Sequence, residues 1–369
     1  MLKVCHVISG LDVGGTERFL SRLLAGGMAQ ATSNLVISLS GTHALSSEIA
    51  ATGARLELLR LEHRPEMRRG IGQAIAAVRT FRPDVVQGWM YHGNLAASLL
   101  QRFAGADSRI YWSIRQSLQD WPNTKPLTKA VIRLSAAASR LCHGIVYNAK
   151  QAQRDHEAIG FSRKQGIVIP NGLATSKLDR PDESAATRAE LGISADEVLV
   201  AHIARHHPNK GQDLFVAAAS KAIRLHGDLR FIMAGNGVDH AFPPATLPPE
   251  LRGRFIVCGN QADPTMLMRA SDIFALSSRS EAFPNALAEA MQAGCACVAT
   301  DVGDVTYLLN GTGLTVAPGD SAAMACAMVE LARDRALRQS LGARAAERIA
   351  QDFPLDRAVA SFLDLYTRD

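Results

Sequence analysis

The sequence predicts an α/β protein of two Rossmann-like domains, with parallel sheets facing a central cleft. Three observations lead there. Short apolar runs alternate with helical stretches, and the scheme repeats in the second half of the chain. The 369 residues suit two domains, at roughly 100–200 residues each. A polar stretch, Leu173–Asp196, with Pro181, Asp182, Glu183 and Ser184, separates the halves just after Ile169–Gly172.

In the first half, Val4–Ser9, Leu35–Leu39, Val85–Gly88, Arg109–Ile114 and Gly144–Tyr147 read as strands. Helical patterns fill 16–29, 67–81, 93–104, 124–140 and 149–159. In the second half the strands are Val198–Ala204, Leu229–Ala234, Phe255–Cys258, Asp272–Leu276, Ala296–Thr300 and Gly313–Val316. Helices are expected over 211–226, 263–270, 285–293, 303–309, 320–332 and 334–351. Strands this continuously apolar belong in parallel sheets covered on both faces. The domains are therefore read as 1–175 and 176–351. Residues 352–369 carry an apolar helical face, Phe353 to Tyr366, that can pack back on the first domain.

Composition narrows the function classes. Hydrophobic residues make up 47% and charged residues 20%, which argues against disorder. No apolar run has the ~18–20 residues of a membrane span. The short apolar start, Val4–Ser9, reads as a buried strand rather than a secretory signal. The six cysteines sit singly, apart from Cys295-Ala-Cys297, without C-x-x-C spacing, and read as buried small hydrophobes in a reducing cytoplasm. Net charge is +5, unevenly spread: residues 1–175 carry 21 Lys and Arg against 11 Asp and Glu, and residues 176–369 carry 19 against 24. A basic first half invites an anionic partner.

Ligands of doubly wound sheets bind beyond the carboxyl ends of strands, so the loops there hold the candidates. After the first strand comes Ser9–Glu17, where Gly14 and Gly15 permit close backbone approach at a helix start. The first strand of the second half leads into Ala204–Gly211. There Arg205 and Lys210 can clamp a diphosphate and neutralise a leaving phosphate. Adjacent His206 and His207 point apart and suggest no metal site. Ser278–Gly303 holds two carboxylates, Glu281 in a loop and Glu289 inside the next helix, with Pro284 expected in its first turn. Amides near Pro284, Asn285 and Ala286 would face the cleft. The two carboxylates suit hydroxyl groups better than a metal or a shared proton.

Glu281-Ala-Phe-Pro-Asn-Ala-Leu-Ala-Glu289 closely resembles the E-x7-E motif of the retaining glycosyltransferases of family 4. Gly14-Gly15-Thr16-Glu17, Ile169-Pro170-Asn171-Gly172, Arg205 with Lys210-Gly211, and Ala234-Gly235-Asn236-Gly237 match the family in order. The resemblance covers about residues 5–320. Ala282 stands where glycine is usual, and Cys295-Ala-Cys297 where a small-Pro-Val step is usual.

The resemblance implies the GT-B fold, with an acceptor-binding first domain and a nucleotide-sugar-binding second domain. It implies Arg205 and Lys210 at the diphosphate, Glu289 at the ribose, and Glu281 with the Phe283–Ala286 amides at the donor sugar. Gly14, Gly15, Gly235 and Asn236 join the donor set. His92 corresponds to an active-site histidine. Arg115, Lys125 and Asn171 are candidates for the acceptor. The implied reaction is transfer with retention from a nucleotide-sugar, by family a UDP-sugar, to a glycan or lipid-linked acceptor in cell-envelope polysaccharide or lipopolysaccharide synthesis. No cofactor or metal is expected, since no D-x-D pair stands in a suitable loop. A cytoplasmic location follows, with Arg64, Arg68 and Arg69 beside Met67 and Ile71 as a possible membrane-surface helix. Two alternatives share the scaffold: a non-catalytic nucleotide-sugar-binding protein and an epimerase. Nucleic acid is disfavoured, because the positive charge is not clustered with aromatics.

Overall fold

The computed structural model describes residues 1–12, 14–41, 43–61, 64–174, 181–261 and 263–368, with backbone alone at 64, 181 and 182. The chain divides into two compact units. One comprises Met1–Ala174 with Pro354–Asp369, and the other Thr175–Phe353. The expected boundary between 175 and 176 lies outside the described residues.

The first unit is a seven-stranded parallel sheet. Its strands are β1 (Leu2–Ile8), β2 (Thr32–Ser38), β3 (Arg55–Leu58), β4 (Val85–Trp89), β5 (Arg109–Ile114), β6 (Gly144–Tyr147) and β7 (Gly166–Val168). They lie in the order β3-β2-β1-β4-β5-β6-β7. The order reverses at β1, which pairs β2 through Leu2↔Thr32 and β4 through Val4↔Val85. Alternation along β1 feeds two cores. Val4 and Ile8 join Phe19, Leu23, Val359 and Phe362 on one face, while Cys5 and Val7 join Val78, Ala97 and Leu100 on the other.

The last helix, Leu355–Thr367, belongs to this first unit although it follows the second in sequence. Its apolar stripe supplies Phe362 and Tyr366, both fully buried. Polar bonds fix its register: Tyr366 donates to Gln87 Oε1 at 2.9 Å, and Tyr111 donates to the Leu365 carbonyl at 3.0 Å.

The second unit is a six-stranded parallel sheet of β8 (Val198–Ile203), β9 (Leu229–Ala234), β10 (Phe255–Cys258), β11 (Ile273–Leu276), β12 (Ala296–Thr300) and β13 (Gly313–Val316). Their order is β10-β9-β8-β11-β12-β13. Here the reversal falls at β8, between β9 and β11. Every residue of β8, β11 and β12 is buried, as strands covered on both faces require.

Several sequence expectations are corrected. β3 and β7 carry no run of buried apolar residues; both are short edge strands of part-exposed residues. The helix expected over 16–29 ends at Leu23 and runs into a wide turn, Leu24–Met28, where Gly27 takes φ +125°. Part of the polar stretch is a helix, Pro181–Glu190. Arg188 anchors it by donating to Asp272 at 3.0 Å and to the Ala270 carbonyl. Cysteine burial holds for Cys5, Cys142, Cys295 and Cys297, but Cys258 is half-buried and Cys326 is exposed. No helix among the described residues is long and apolar enough to cross a membrane.

Candidate functional site

In the second unit, two loops leave adjacent strands at the point where strand order reverses. One follows β8 and carries Arg205 to Gly211; the other follows β11 and carries Ser277 to Phe283. Side chains tie them together. Lys210 Nζ donates to Glu281 Oε1 at 2.7 Å, and Ser278 Oγ donates to the same oxygen at 2.7 Å. The pair is largely shielded, with Lys210 at 26% and Glu281 at 9% side-chain exposure. Such shielding strengthens a charged hydrogen bond. The backbones bond as well: Arg279 N–H donates to the Asn209 carbonyl at 2.7 Å.

Gly211 lets the loops close up. Its φ is +64°, and an added Cβ would stand 2.0 Å from the Ser277 carbonyl oxygen. Arg205 extends into solvent from the same loop, while its carbonyl accepts from Gln212 at 2.9 Å. The β9 loop lies alongside: Gly235 packs on the Ala204 carbonyl, and His206 N–H donates to the Asn236 carbonyl at 2.8 Å.

The carboxylate helix is Asn285–Gln292, with Pro284 as its N-cap. This corrects the placement of Pro284 in the first turn: its ψ of 87° is not helical. Proline has no N–H, so the helix-start donors are the amides of Asn285, Ala286 and Leu287. Pro284 itself offers no side-chain cap. Glu289 follows one turn later, partly exposed. Phe283 is buried on Phe353, with ring centroids 5.7 Å apart. Only its backbone is then placed to meet a ligand.

In the first unit, Gly14 and Gly15 open the Gly15–Leu23 helix beyond β1. The Glu17 carboxylate folds back against Gly14, where a Cβ would otherwise stand. A negative group at this helix start is favoured by the dipole. His92 is exposed in the first turn of the Met90–Ala104 helix, after β4. Arg115 follows β5. Its guanidinium stacks 3.8 Å over Phe19 and donates to Ser113 Oγ at 3.2 Å and to Asn171 Oδ1. Its Nε is buried without a partner. Burial among rings pushes this guanidinium down from its ordinary pKa, yet it stays charged. Lys125 is exposed. Arg115 and Asn171 are thus brought together, whereas Lys125 is not shown to join them.

Two family models match the chain. The model described as Glycosyltransferase Family 4 covers residues 13–177, and that described as Glycosyl transferases group 1 covers residues 197–334. By these matches the chain carries a Glycosyltransferase Family 4 domain followed by a Glycosyl transferases group 1 domain. Among curated relatives, a D-inositol 3-phosphate glycosyltransferase of Nocardia farcinica is 30% identical over 58% of this chain and 49% of the relative. The lipopolysaccharide core biosynthesis mannosyltransferase LpsB of Rhizobium meliloti is 27% identical over 54% of this chain and 60% of the relative. The chain spans about half the length of the curated relatives it matches. Among solved structures, Anabaena Alr3699/HepE in complex with UDP matches with a TM-score of 0.85 and 19% identity, over 99% of both chains. WaaG, a glycosyltransferase involved in lipopolysaccharide biosynthesis, matches at 0.74 with 15% identity over the whole of both chains. The fold is GT-B.

In the second unit, several supporting residues carry no signal in local spacing. Ser277 donates to the Gly211 carbonyl at 2.8 Å, and Thr300 donates to the Ser278 carbonyl at 2.6 Å. Arg279 grips Asp213 with both nitrogens at 2.9 and 2.6 Å. Buried His202 hydrogen-bonds the Ala275 carbonyl at 2.9 Å beneath the loops. Burial pushes its pKa down to about 4. Each of these residues acts through tertiary contacts, which local spacing does not record. The small polar run Ser277-Ser278 directly after an apolar strand was the available signal.

Proposed function

We propose that this chain is a retaining glycosyltransferase. It moves a sugar from a nucleotide-sugar, in the simplest reading a UDP-sugar, to a hydroxyl of a glycan or lipid-linked acceptor in cell-envelope polysaccharide assembly. The observation that carries the reading is the Lys210–Glu281 pair, which joins the two strand-end loops beside the start of the Asn285–Gln292 helix and Glu289. The UDP and UDP-glucose complexes of the Anabaena neighbour support the choice of donor.

The proposed chemistry follows from charge. The donor C1–O bond breaks, and its electron pair leaves on the diphosphate. Lys210 and Arg205 meet that developing charge, and the amides of Asn285, Ala286 and Leu287 are fixed dipoles that need no reorganisation. Glu289 holds the ribose hydroxyls, and Glu281 accepts from a sugar hydroxyl. The acceptor oxygen bonds C1 on the face the diphosphate leaves, and its proton passes to the departing phosphate oxygen. The two cations carry this role without a metal. Gly14 and Gly15 are assigned to donor phosphate or sugar, and His92 to the reacting sugar. Arg115 and Asn171, with Lys125, are assigned to an anionic acceptor.

The test is a panel of nucleotide-sugars with envelope glycan and glycolipid acceptors, the product being read by the anomeric coupling in proton NMR. A product with the donor's anomeric configuration is expected. Inverted product, or nucleotide binding with no sugar released from any donor, would overturn the proposal.

A further inference from the structure

His202 stands where strands β8 and β11 part. Their ladder ends at the pair Ala201↔Phe274, although the strands run on to Ile203 and Leu276. Beyond that pair the imidazole takes over, with Nδ1 2.9 Å from the Ala275 carbonyl oxygen. A carbonyl only accepts, so Nδ1 carries the proton. Nε2 is buried without a partner, as suits the nitrogen that carries none. Burial keeps the ring neutral, with its pKa pushed down to about 4.

Packing alone does not call for a histidine here. The residue is fully buried and shares the sheet face of Val198 and Val200. Its ring stacks on Phe215, with centroids 5.1 Å apart. An apolar side chain would fill that space, and a buried polar ring costs free energy unless its polar atoms are used.

The tautomer sets the direction of the next hydrogen bond. Ser277 Oγ stands 3.5 Å from the protonated Nδ1 and can only accept there. Its own hydrogen therefore turns to the other loop, where the Gly211 carbonyl lies at 2.8 Å and the Lys210 carbonyl at 3.1 Å. An unprotonated Nδ1 would draw that hydrogen inward and free both carbonyls. Ser277 opens the loop that carries Glu281, and Lys210 and Gly211 close the loop that carries Arg205. One buried ring thus stands at the root of both loops, whose tips meet in the Lys210–Glu281 pair.

We propose that His202 is a positioning residue for the donor diphosphate. As the neutral Nδ1–H tautomer it holds the Ala275 carbonyl across the gap between the strands. It also turns the Ser277 hydroxyl onto the Lys210–Gly211 backbone, so that the Lys210 ammonium is set before a diphosphate arrives. It touches no substrate itself. The inference rests on the reading of these loops as the donor site, whereas the tautomer is measured without any donor.

The test uses two variants of the full chain. His202→Phe keeps a ring against Phe215 and removes the donor. His202→Asn loses the ring but keeps an N–H near the place of Nδ1. Wild type and variants are titrated calorimetrically with UDP, GDP and ADP, and each is melted to check the fold. For the nucleotide that wild type binds, His202→Phe should bind about ten-fold more weakly, because a charged contact is misplaced. His202→Asn should stay within about three-fold of wild type, although its cavity lowers the melting temperature. In turnover, His202→Phe should raise the donor KM and leave the acceptor KM unchanged. Nitrogen NMR of histidine-labelled protein should show Nδ1 protonated and Nε2 not, the His202 signals being those lost in His202→Phe. Should His202→Phe not fold, Ser277→Ala cuts the same chain one link further on, with the same expected loss of affinity. The inference is overturned if the folded variant binds as wild type does, if affinity merely follows melting temperature with no recovery in His202→Asn, or if the proton is on Nε2. If wild type binds none of the three nucleotides, the donor-site reading has itself failed and the inference falls with it.

Discussion

Lys210 donates to Glu281 at 2.7 Å, joining residues 71 positions apart in sequence. Each partner satisfies the other in a shielded place, and each belongs to a different strand-end loop. The cation proposed to meet the diphosphate is therefore held by the carboxylate proposed to meet the sugar. This coupling leads to the first two predictions.

Lys210→Ala removes the cation and leaves Glu281 with Ser278 alone. Transfer should fall by about 100-fold or more in kcat/KM, the scale of losing one preorganised charge-stabilising donor. Stability should drop by about 1–3 kcal/mol, because a shielded carboxylate loses its partner. Steady-state kinetics and thermal unfolding check both.

Glu281→Gln and Glu289→Gln should differ in kind. The first releases Lys210, so a nucleoside diphosphate should bind at least as tightly as to wild type while turnover is lost. The second removes a ribose contact and should weaken nucleoside diphosphate and nucleotide-sugar alike, by about ten-fold, or roughly 1.4 kcal/mol. Titration with both ligands separates the two patterns.

Gly211→Ala tests the loop geometry. The residue sits at φ +64°, with the Ser277 carbonyl 2.0 Å from any added Cβ. Backbone carbonyls do not move cheaply, so a loss of about 2 kcal/mol or more is expected, together with donor binding. Denaturant unfolding measures the first and calorimetry the second.

Acid should destabilise the fold through buried histidines. Burial holds His6 and His202 neutral, moving each pKa from 6.5 to about 4. Between those values the unfolded chain takes up protons that the folded chain refuses. Stability is thus complete above about pH 6.5 and is lost as pH falls toward about 4. Each histidine contributes up to about 3 kcal/mol to that loss. Urea midpoints across this window should fall with pH, and His202→Gln should flatten the slope.

Arg115→Lys keeps a charge but loses the fork that reaches Ser113 and Asn171 and the stacking on Phe19. The acceptor KM should rise by about ten-fold, and the donor KM should stay unchanged. Equal changes in both would remove Arg115 from the acceptor assignment.

The doubly wound sheets were legible because buried parallel strands such as Ile273–Leu276 write themselves as unbroken apolar runs. Arg55–Leu58 and Gly166–Val168 were not, since part-exposed edge strands lack that signature. The candidate site was legible as spacing: Glu281 and Glu289 around a helix start, Arg205 and Lys210 on one loop. Its wiring was not. Neither the Lys210–Glu281 pair nor the Arg279–Asp213 grip has a local pattern, because only tertiary packing brings such residues together.

The most direct test of the central claim is calorimetric titration of wild type and Lys210→Ala with UDP, GDP and ADP. One nucleoside diphosphate should bind wild type, with affinity falling about ten-fold or more in the variant. If none binds wild type, or if Lys210→Ala binds as tightly, the strand-end loops of the second unit are not the donor site.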